Sequence, residues 1–367
     1  MPPATRFEEE LAALWEQAEA AEQALSKLRT IGLMVSSVEA EARAAGLDLS
    51  AQKLAAARLR DALLSDDYEA ASAEAFQLCR SVTGEYARRR LGASIEVDAC
   101  PHPETVKALE AMLSSSGRLS SLTRAVLTAG ARSLSAMLSN AATAARSWSR
   151  IERILSRIEA SLAKLERHAG LRRERVVAWL AAGASKAANA SEAIAFLEAA
   201  AKILYNAAAL AEEAAAQLVE ATEAQQRCGA WTVRLPCRLL EQAAAQLAAA
   251  RGELEALSHV ESLEAAGAAV RAAEARLREA RRSLDAVKRL YRVFTGAQPP
   301  ARLEEAVEPL LEALQRQAIT LEEEEVLGIL VEKGTVDIME LHERNPRLSR
   351  AALRLCTRGI THCTVSL

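Results

Sequence analysis

A heptad repeat runs without interruption through residues 263–294, LEAAGAAVRAAEARLREARRSLDAVKRLYRVF. Its apolar side chains recur at intervals of three and four residues, the spacing of one buried helix face. Proline is absent from the stretch, so the sequence predicts a single long helix packed on a partner helix. The two repeating positions are Leu263, Val270, Leu277, Leu284 and Tyr291, and Ala266, Ala273, Ala280, Val287 and Phe294.

A second seam precedes this repeat, and the register slips between the two seams near Ser258. The slip is either a stutter in one long helix or a turn between two helices. Because small alanines alternating with leucines let helices approach closely, antiparallel pairing within the chain is favoured over parallel dimerisation. The earlier seam comprises Leu240, Ala243, Leu247, Ala250, Leu254 and Leu257.

The N-terminal region combines a third seam with a hairpin pattern. Residues 46–79 place the polar turn Ser65-Asp66-Asp67 between two alanine-rich helical stretches. This pattern resembles the helical hairpins of tetratricopeptide-like and archaeal-type coiled-coil repeats, and the resemblance implies a hairpin without a peptide-binding groove. The third seam, which implies a partner helix, comprises Phe7, Leu11, Leu14, Ala18, Ala21, Leu25 and Leu28.

Composition narrows the fold class and the classes of partner. The 367 residues include 3% aromatic residues, 9 Pro and 15 Gly, so long stretches contain nothing that breaks a helix. The formal net charge is −3, with 26% charged residues. Any contact with a polyanion must therefore be local. The abundance of alanine, glutamate and arginine is also typical of thermophilic proteins.

These patterns predict an all-α chain, an elongated antiparallel helical bundle or coiled coil with a small C-terminal winged-helix-like domain. Prolines mark most of the boundaries, because an interior proline costs a helix about 3 kcal/mol. The predicted segments are helical hairpins at 1–90, a linker at 91–103, a long helical bundle at 104–227, a loop at 228–236, coiled-coil helices at 237–298, a hinge and linker helix at 299–320, and the winged-helix-like domain at 321–367.

The C-terminal segment differs in composition from the rest of the chain, with less alanine and shorter predicted elements. Leu321–Glu332, Ile338–Arg344 and Ser349–Arg358 read as helices, Gly334–Asp337 as an extended link, and residues 360–367 alternate like a strand. This order resembles the winged-helix variant of the helix-turn-helix family. The resemblance implies that the third helix enters the major groove of DNA.

Four arginines are the candidate nucleic-acid-binding residues: Arg347, Arg350, Arg354 and Arg358, called here the arginine row. Their spacing of three and four residues places them on one side of the third helix. The alternative is a solvated face on a module that docks a protein, and the acidic run at residues 322–325 would repel phosphate. The sequence leaves DNA and a protein partner open.

Patterns of catalysis and metal binding are missing from the sequence. It lacks the glycine-rich phosphate-binding, serine-hydrolase and HExxH motifs, so we expect no enzyme, no cofactor and no small-molecule substrate. The cysteines lack the CxxC pairs of a structural zinc site, and no metal is expected. Isolated thiols and a Cys228–Cys237 bridge both remain open. The six cysteines are Cys79, Cys100, Cys228, Cys237, Cys356 and Cys363.

The expected function is a non-enzymatic architectural or adaptor protein, a helical scaffold with a C-terminal module for DNA or a protein partner. A pure protein-interaction scaffold, similar in plan to filament or cell-division coiled-coil proteins, is the alternative. Pairing of the heptad seams between copies, which would give a homo-oligomer, is the alternative to pairing within the chain. The acidic start at Glu8–Glu10 is unlike a signal peptide, and charges interrupt the apolar stretch 193–218, so a cytoplasmic location without membrane attachment is expected.

Overall fold

The computed structural model describes residues 6–44, 50–91, 96–100, 105, 108, 111, 119–229 and 231–361. Within these residues the chain is overwhelmingly α-helical, and the all-α prediction is confirmed. Their one extended pairing is an isolated bridge between Glu96 and Ser133. The chain divides into two compact units. Unit 1 comprises residues 1–153 and 180–197, and unit 2 comprises residues 154–179 and 198–367.

The described residues form fourteen α-helices, numbered here in chain order. A short 3-10 helix, Ala256–His259, follows the ninth of them. The helices are α1 Arg6–Ala44, α2 Ser50–Leu64, α3 Tyr68–Leu91, α4 Ser120–Thr128, α5 Leu134–Arg146, α6 Trp148–Ala169, α7 Arg173–Ser185, α8 Ala190–Gln226, α9 Leu235–Glu255, α10 Leu263–Thr295, α11 Glu304–Arg316, α12 Leu321–Lys333, α13 Ile338–Arg344 and α14 Pro346–Thr357.

The predicted hairpin in unit 1 is formed by α2 and α3. Asp66 adopts a left-handed conformation with φ of 55°, which short polar side chains tolerate at tight turns. The Asp67 carboxylate then accepts a hydrogen bond from the Ala70 amide at 3.0 Å and caps α3. Because Ala71 and Ala75 are fully buried, they let α3 pack closely on its neighbours α1 and α2.

The predicted N-terminal seam lies largely in solvent. Leu11, Leu14 and Leu25 are 56%, 63% and 48% exposed. Half-buried residues follow a related but shifted seam on α1, and α1 packs against α3. The first turns of α1 therefore present apolar side chains that neither α2 nor α3 covers. The shifted seam comprises Ala21, Ala24, Leu28, Ile31 and Val35.

A buried asparagine links three parts of unit 1. The side-chain amide of Asn140 donates to the carbonyls of Leu127 at 3.2 Å and Ala129 at 2.8 Å. Its side-chain oxygen accepts from the Ala190 amide at 3.1 Å. All three bonds satisfy groups at helix ends that would otherwise be orphaned in the core. Asn140 therefore ties the end of α4 to the start of α8.

In unit 2, α9 and α10 form a helical hairpin, which decides the register slip in favour of a turn. The α9 helix ends at Glu255, and the Ser262 hydroxyl caps α10 by accepting from the Ala265 amide at 3.1 Å. The two helices pack along each other, and the short connection makes them antiparallel. Most positions of the 263–294 repeat are buried: Ala266, Ala273, Leu277, Ala280, Leu284, Val287 and Phe294.

The core of unit 2 continues from this hairpin into the C-terminal helices. Buried residues of α9, α10 and α11 belong to the same hydrophobic cluster as Val326 and Leu327 of α12 and Leu355 of α14. The α12 helix also packs directly on α10 and α9. The C-terminal helices therefore share their apolar core with the hairpin.

Cysteines that the sequence left unassigned are paired. Cys79 and Cys100 form a disulfide with a Cα–Cα distance of 5.7 Å, and Cys228 and Cys237 form one at 5.8 Å. Cys356 is also disulfide-bonded. The Cys228–Cys237 bond closes the connection between α8 and α9. The bridge that the sequence left open is therefore present, and these five cysteines are not isolated thiols.

The α8 helix, Ala190–Gln226, is long and apolar enough to cross a membrane by length and composition. About 44% of its most apolar window is buried within the protein. Charged residues interrupt that helix at Glu198, Lys202, Glu212 and Glu213.

Candidate nucleic-acid interface

The C-terminal module consists of α12, α13 and α14, and its first helix begins with a capping box. The Thr320 hydroxyl accepts from the Glu323 amide at 3.3 Å, and the Glu323 carboxylate accepts from the Thr320 amide at 3.0 Å. These reciprocal bonds satisfy two backbone donors at the start of α12. Glu323 is fully buried, which is unusual for a carboxylate.

A single residue, Asn345, connects the second and third helices of the module. It ends α13, and its side-chain oxygen caps α14 by accepting from the Arg347 amide at 3.0 Å. Pro346 follows at the first helical position, where a missing amide hydrogen costs nothing. This connection is shorter than the three or four residues usual in a helix-turn-helix.

The buried side of α14 is the one that the sequence predicts. Leu348, Ala352 and Leu355 are 5%, 8% and 0% exposed. They pack α14 against α12 and α13. The arginine row occupies the opposite side, and its four members have two different environments.

Arg354 and Arg358 are bound to the buried carboxylate of Glu323. The Arg354 Nε atom lies 2.9 Å from Glu323 Oε1, and Arg358 Nη1 lies 3.4 Å from Glu323 Oε2. Arg358 also donates to the Gln317 carbonyl at 3.3 Å. The last turns of α14 are thereby tied to the start of α12. Both arginines remain partly exposed, at 46% and 40% of the side chain.

Opposing effects act on the protonation of Glu323. Burial raises the pKa of Glu323, since it penalises the charged form. The Thr320 amide, the Arg354 hydrogen bond and the charges of both arginines stabilise the carboxylate and outweigh burial, so the pKa lies below its usual value. Glu323 is therefore ionised at neutral pH, and the Thr320 amide and the two arginines together stabilise its charge.

Arg347 and Arg350 form the other end of the arginine row, and both are exposed on the first turns of α14. Within the part of the chain that the structure describes, neither side chain has an ion pair or a hydrogen bond. The amides of a helix N-terminus also favour anions. These two guanidinium groups are free to contact phosphate or carboxylate groups from outside the chain.

The acidic run at the start of α12 does not behave as the sequence predicts. Glu323 and Glu324 are buried, and only the neighbouring Glu322 and Glu325 have substantial exposure. Glu324 accepts from the Arg234 amide at 2.7 Å and lies 3.7 Å from the Arg238 guanidinium. It thereby caps the N-terminal end of α9. Two of the four glutamates that the sequence expects to repel phosphate are consequently paired with arginines of α14 and α9.

A serine and a histidine also meet in the module. His342 Nδ1 lies 3.1 Å from the Ser349 hydroxyl, a contact between α13 and α14. The hydroxyl donates to the Pro346 carbonyl at 3.0 Å, and Ser349 is only 4% exposed. A nucleophile needs its proton directed to a base and its oxygen open to substrate. The pair therefore joins two helices and lacks the geometry of a nucleophilic site.

The remaining sequence predictions for this region concern residues that the structure describes only in part. The predicted strand at residues 360–367 lies outside the described residues beyond Thr361, as do His362 and Cys363. The described residues contain no group of three or more His, Cys, Asp or Glu side chains that could hold a metal ion. Two sites missed by sequence reasoning are the buried carboxylates Glu323 and Glu324.

Comparison with known proteins adds no further assignment. A scan against protein-family models and searches of curated proteins and of solved structures return no match to this chain.

Proposed function

We propose that this chain is a non-enzymatic architectural protein whose C-terminal module binds duplex DNA through Arg347 and Arg350. The observation that carries the proposal is the division of the arginine row. Glu323 engages the two C-terminal arginines, while the two N-terminal arginines are exposed and make no ion pair or hydrogen bond with the described residues. Residues on the first turns of a recognition helix are the ones that reach base edges and phosphates in helix-turn-helix proteins.

The winged-helix-like character of the module belongs to the same proposal. It is supported by the succession of α13 and α14, which pack on each other, and by the arginines on the solvent side of α14. The packing of α12 onto α9 and α10 would hold the module rigidly on the helical scaffold. A rigid mount fixes the orientation of bound DNA, which suits an architectural role.

Protein docking through the same module is the second candidate. Leu353 is 50% exposed and lies one turn from Arg350 on α14, and Met339 of α13 is 69% exposed. Apolar side chains beside an arginine are common at the centre of protein interfaces. An acidic protein surface would satisfy Arg347 and Arg350 as phosphates do, and Leu353 would add buried apolar area.

The test is binding of the purified chain to a duplex of random sequence across a salt series. We compare the wild type with the Arg347→Ala/Arg350→Ala variant. Each lost phosphate contact lowers the slope of log K against log salt by about 0.9, so the variant should lose nearly two units of slope. Arg354 and Arg358 are left intact because their removal would leave the buried Glu323 carboxylate without its cationic partners.

A Lys186→Ala/Lys202→Ala variant is the control, because it removes the same charge at two exposed positions outside the module. DNA binding through α14 predicts that this control keeps the wild-type slope. Equal losses in both variants would indicate diffuse attraction, and no binding at low salt would refute DNA recognition. The full chain with Leu353→Ser and Met339→Ser would then test protein docking.

Oligomerisation and location complete the proposal. The exposed seam at Leu11 and Leu14 supports a homo-oligomer formed through α1, and light scattering on the same samples gives the mass. We propose the cytoplasm of a thermophile as the location, where disulfides such as Cys79–Cys100 and Cys228–Cys237 persist inside cells. The proposal does not include attachment to a membrane.

A further inference from the structure

A second basic site lies in unit 2, where α9, α10 and α12 line a cavity of about 560 Å³ that is open to solvent on one side. Three cationic side chains line it: Arg282 and Arg289 of α10 and Lys333 at the end of α12. Ligand sites commonly have volumes of about 300–1,000 Å³. The cavity is therefore large enough for a small molecule or for part of a polymer.

Arg281 and Arg276 of α10 have partners within the chain, whereas the two arginines of this cavity have none among the described residues. Arg281 is bound to Glu213, and Arg276 donates to the Gln246 side chain at 3.2 Å. Arg282 and Arg289 have no ion pair or hydrogen bond with any residue in the described part of the chain. Their charges are unused by the fold and available to a ligand.

Small buried residues bring the cavity close to the α10 backbone. Ser283 and Ala286 line it and are 7% and 2% exposed. The side-chain amide of Gln242 on α9 adds hydrogen-bonding capacity beside the cations. Glu279 and Glu332 also line the cavity and reduce its net charge to +1, taken over the three cations and two carboxylates. An anion entering here meets a positive surface with a polar wall.

We propose that this cavity binds a chain of phosphate groups. Arg282 and Arg289 are seven residues apart, so their Cα atoms are separated by roughly 10.5 Å along the helix axis. A single phosphate is small for that span, whereas successive phosphates can engage each guanidinium separately and bidentately. Lys333, which lies 3.9 Å from the Glu340 carboxylate and is half exposed, supplies a third contact from α12. The phosphates belong either to a free polyphosphate or to a nucleic-acid backbone.

Calorimetric titration of the full chain with inorganic tripolyphosphate tests this site. Arg282→Ala/Arg289→Ala should weaken binding at least tenfold, and Lys333→Ala should weaken it by a smaller factor. The matched control is Arg271→Ala/Arg278→Ala, which removes two exposed arginines with the same spacing on α10 that do not line the cavity. This control should change the affinity less than twofold. Circular dichroism confirms that each variant retains its helices.

A parallel titration with a twelve-nucleotide single strand separates the two sources of phosphate. If the strand competes with tripolyphosphate and loses affinity only in Arg282→Ala/Arg289→Ala, the ligand is a nucleic-acid backbone. If tripolyphosphate alone depends on that pair, the ligand is a free polyphosphate. Absence of tripolyphosphate binding at millimolar concentration, or equal weakening by both arginine pairs, would overturn the site.

The proposal is independent of DNA recognition by α14. The Arg347→Ala/Arg350→Ala variant should bind tripolyphosphate like the wild type, because neither residue lines the cavity. Failure of one proposal therefore leaves the other standing.

Discussion

The two ends of the arginine row show how one residue type at one helical spacing acquires two environments. Arg354 and Arg358 face Glu323, a carboxylate with no exposed surface, and each makes an ionic contact with it. Arg347 and Arg350 lie only one or two turns earlier and face solvent. The difference comes from α12, whose capping box fixes Glu323 beneath the C-terminal turns of α14 and out of reach of the first turn.

Under the proposed function, this division would separate residues that stabilise the module from residues that bind a ligand, within a single helix. A buried carboxylate is costly unless it is paired, so the fold itself requires the two C-terminal arginines beside Glu323. An exposed arginine contributes little to stability and can be selected for binding alone. Stability should therefore respond to changes at one end of α14, and ligand affinity to changes at the other.

The largest expected effect follows removal of both structural arginines, Arg354→Ala/Arg358→Ala. Breaking a fully buried ion pair from one side costs about 3–5 kcal/mol. Because both arginines are 40–46% exposed, we expect the unfolding free energy of the module to fall by about 2–3 kcal/mol. Hydrogen exchange of α12 and α14 amides measures this loss, and protection should fall by roughly 30- to 150-fold.

Adding Glu323→Gln to that variant sharpens the result. The amide carries no charge to bury and can still accept the Thr320 bond, so part of the lost protection should return. A triple variant that is less protected than the double variant would show that the charge of Glu323 is not the source of the loss. The assay reports on the module alone, which matters because two compact units need not unfold together.

A smaller effect is expected when pH is lowered. The pKa of Glu323 is below its usual value in the folded chain, so its contribution to stability is complete above the ordinary glutamate range near pH 4.3 and is lost as pH falls through the folded-state pKa. Thermal unfolding between pH 7 and pH 2.5 measures this loss.

Glu323→Gln should have a shallower decline of stability with pH than the wild type. Other carboxylates also have a lowered pKa, including Asp98, which accepts hydrogen bonds from Ser135, and Glu212, which is bound to Lys164. The difference between the two proteins isolates the Glu323 contribution from theirs. Parallel pH profiles would mean that Glu323 is not coupled to the stability of the module.

The sequence predicts the long helices well and their partners less well. The 263–294 repeat identifies the buried side of α10 because its large apolar residues allow one register. On α1, alanines at several adjacent positions permit two registers, and the structure half-buries Ala24 and Ile31 where the sequence favoured Leu11 and Leu25. Alanine contributes too little apolar area to decide which side faces inward.

The environment of Glu323 shows where sequence reasoning on the site ends. Four consecutive glutamates at residues 322–325 predict a helix start that would repel phosphate. The Thr320-x-x-Glu323 spacing is a capping-box pattern and could have singled out this residue. Its contact with Arg354 spans 31 positions and depends on how α12 packs against α14, which no local pattern encodes. The exposed pair Arg347 and Arg350 could not be separated from Arg354 and Arg358 by spacing alone.

The smallest expected effect is at the solvent end of α14. Arg347→Ala/Arg350→Ala removes no contact within the described part of the chain, so the change in unfolding free energy should stay below about 0.5 kcal/mol. The Asn345 cap is made to the Arg347 backbone amide, which alanine retains. Hydrogen exchange of α14 should therefore match the wild type within about twofold. A loss of protection comparable to that of Arg354→Ala/Arg358→Ala would mean that the whole row is structural, and a change in DNA affinity could then no longer be attributed to contact with the ligand.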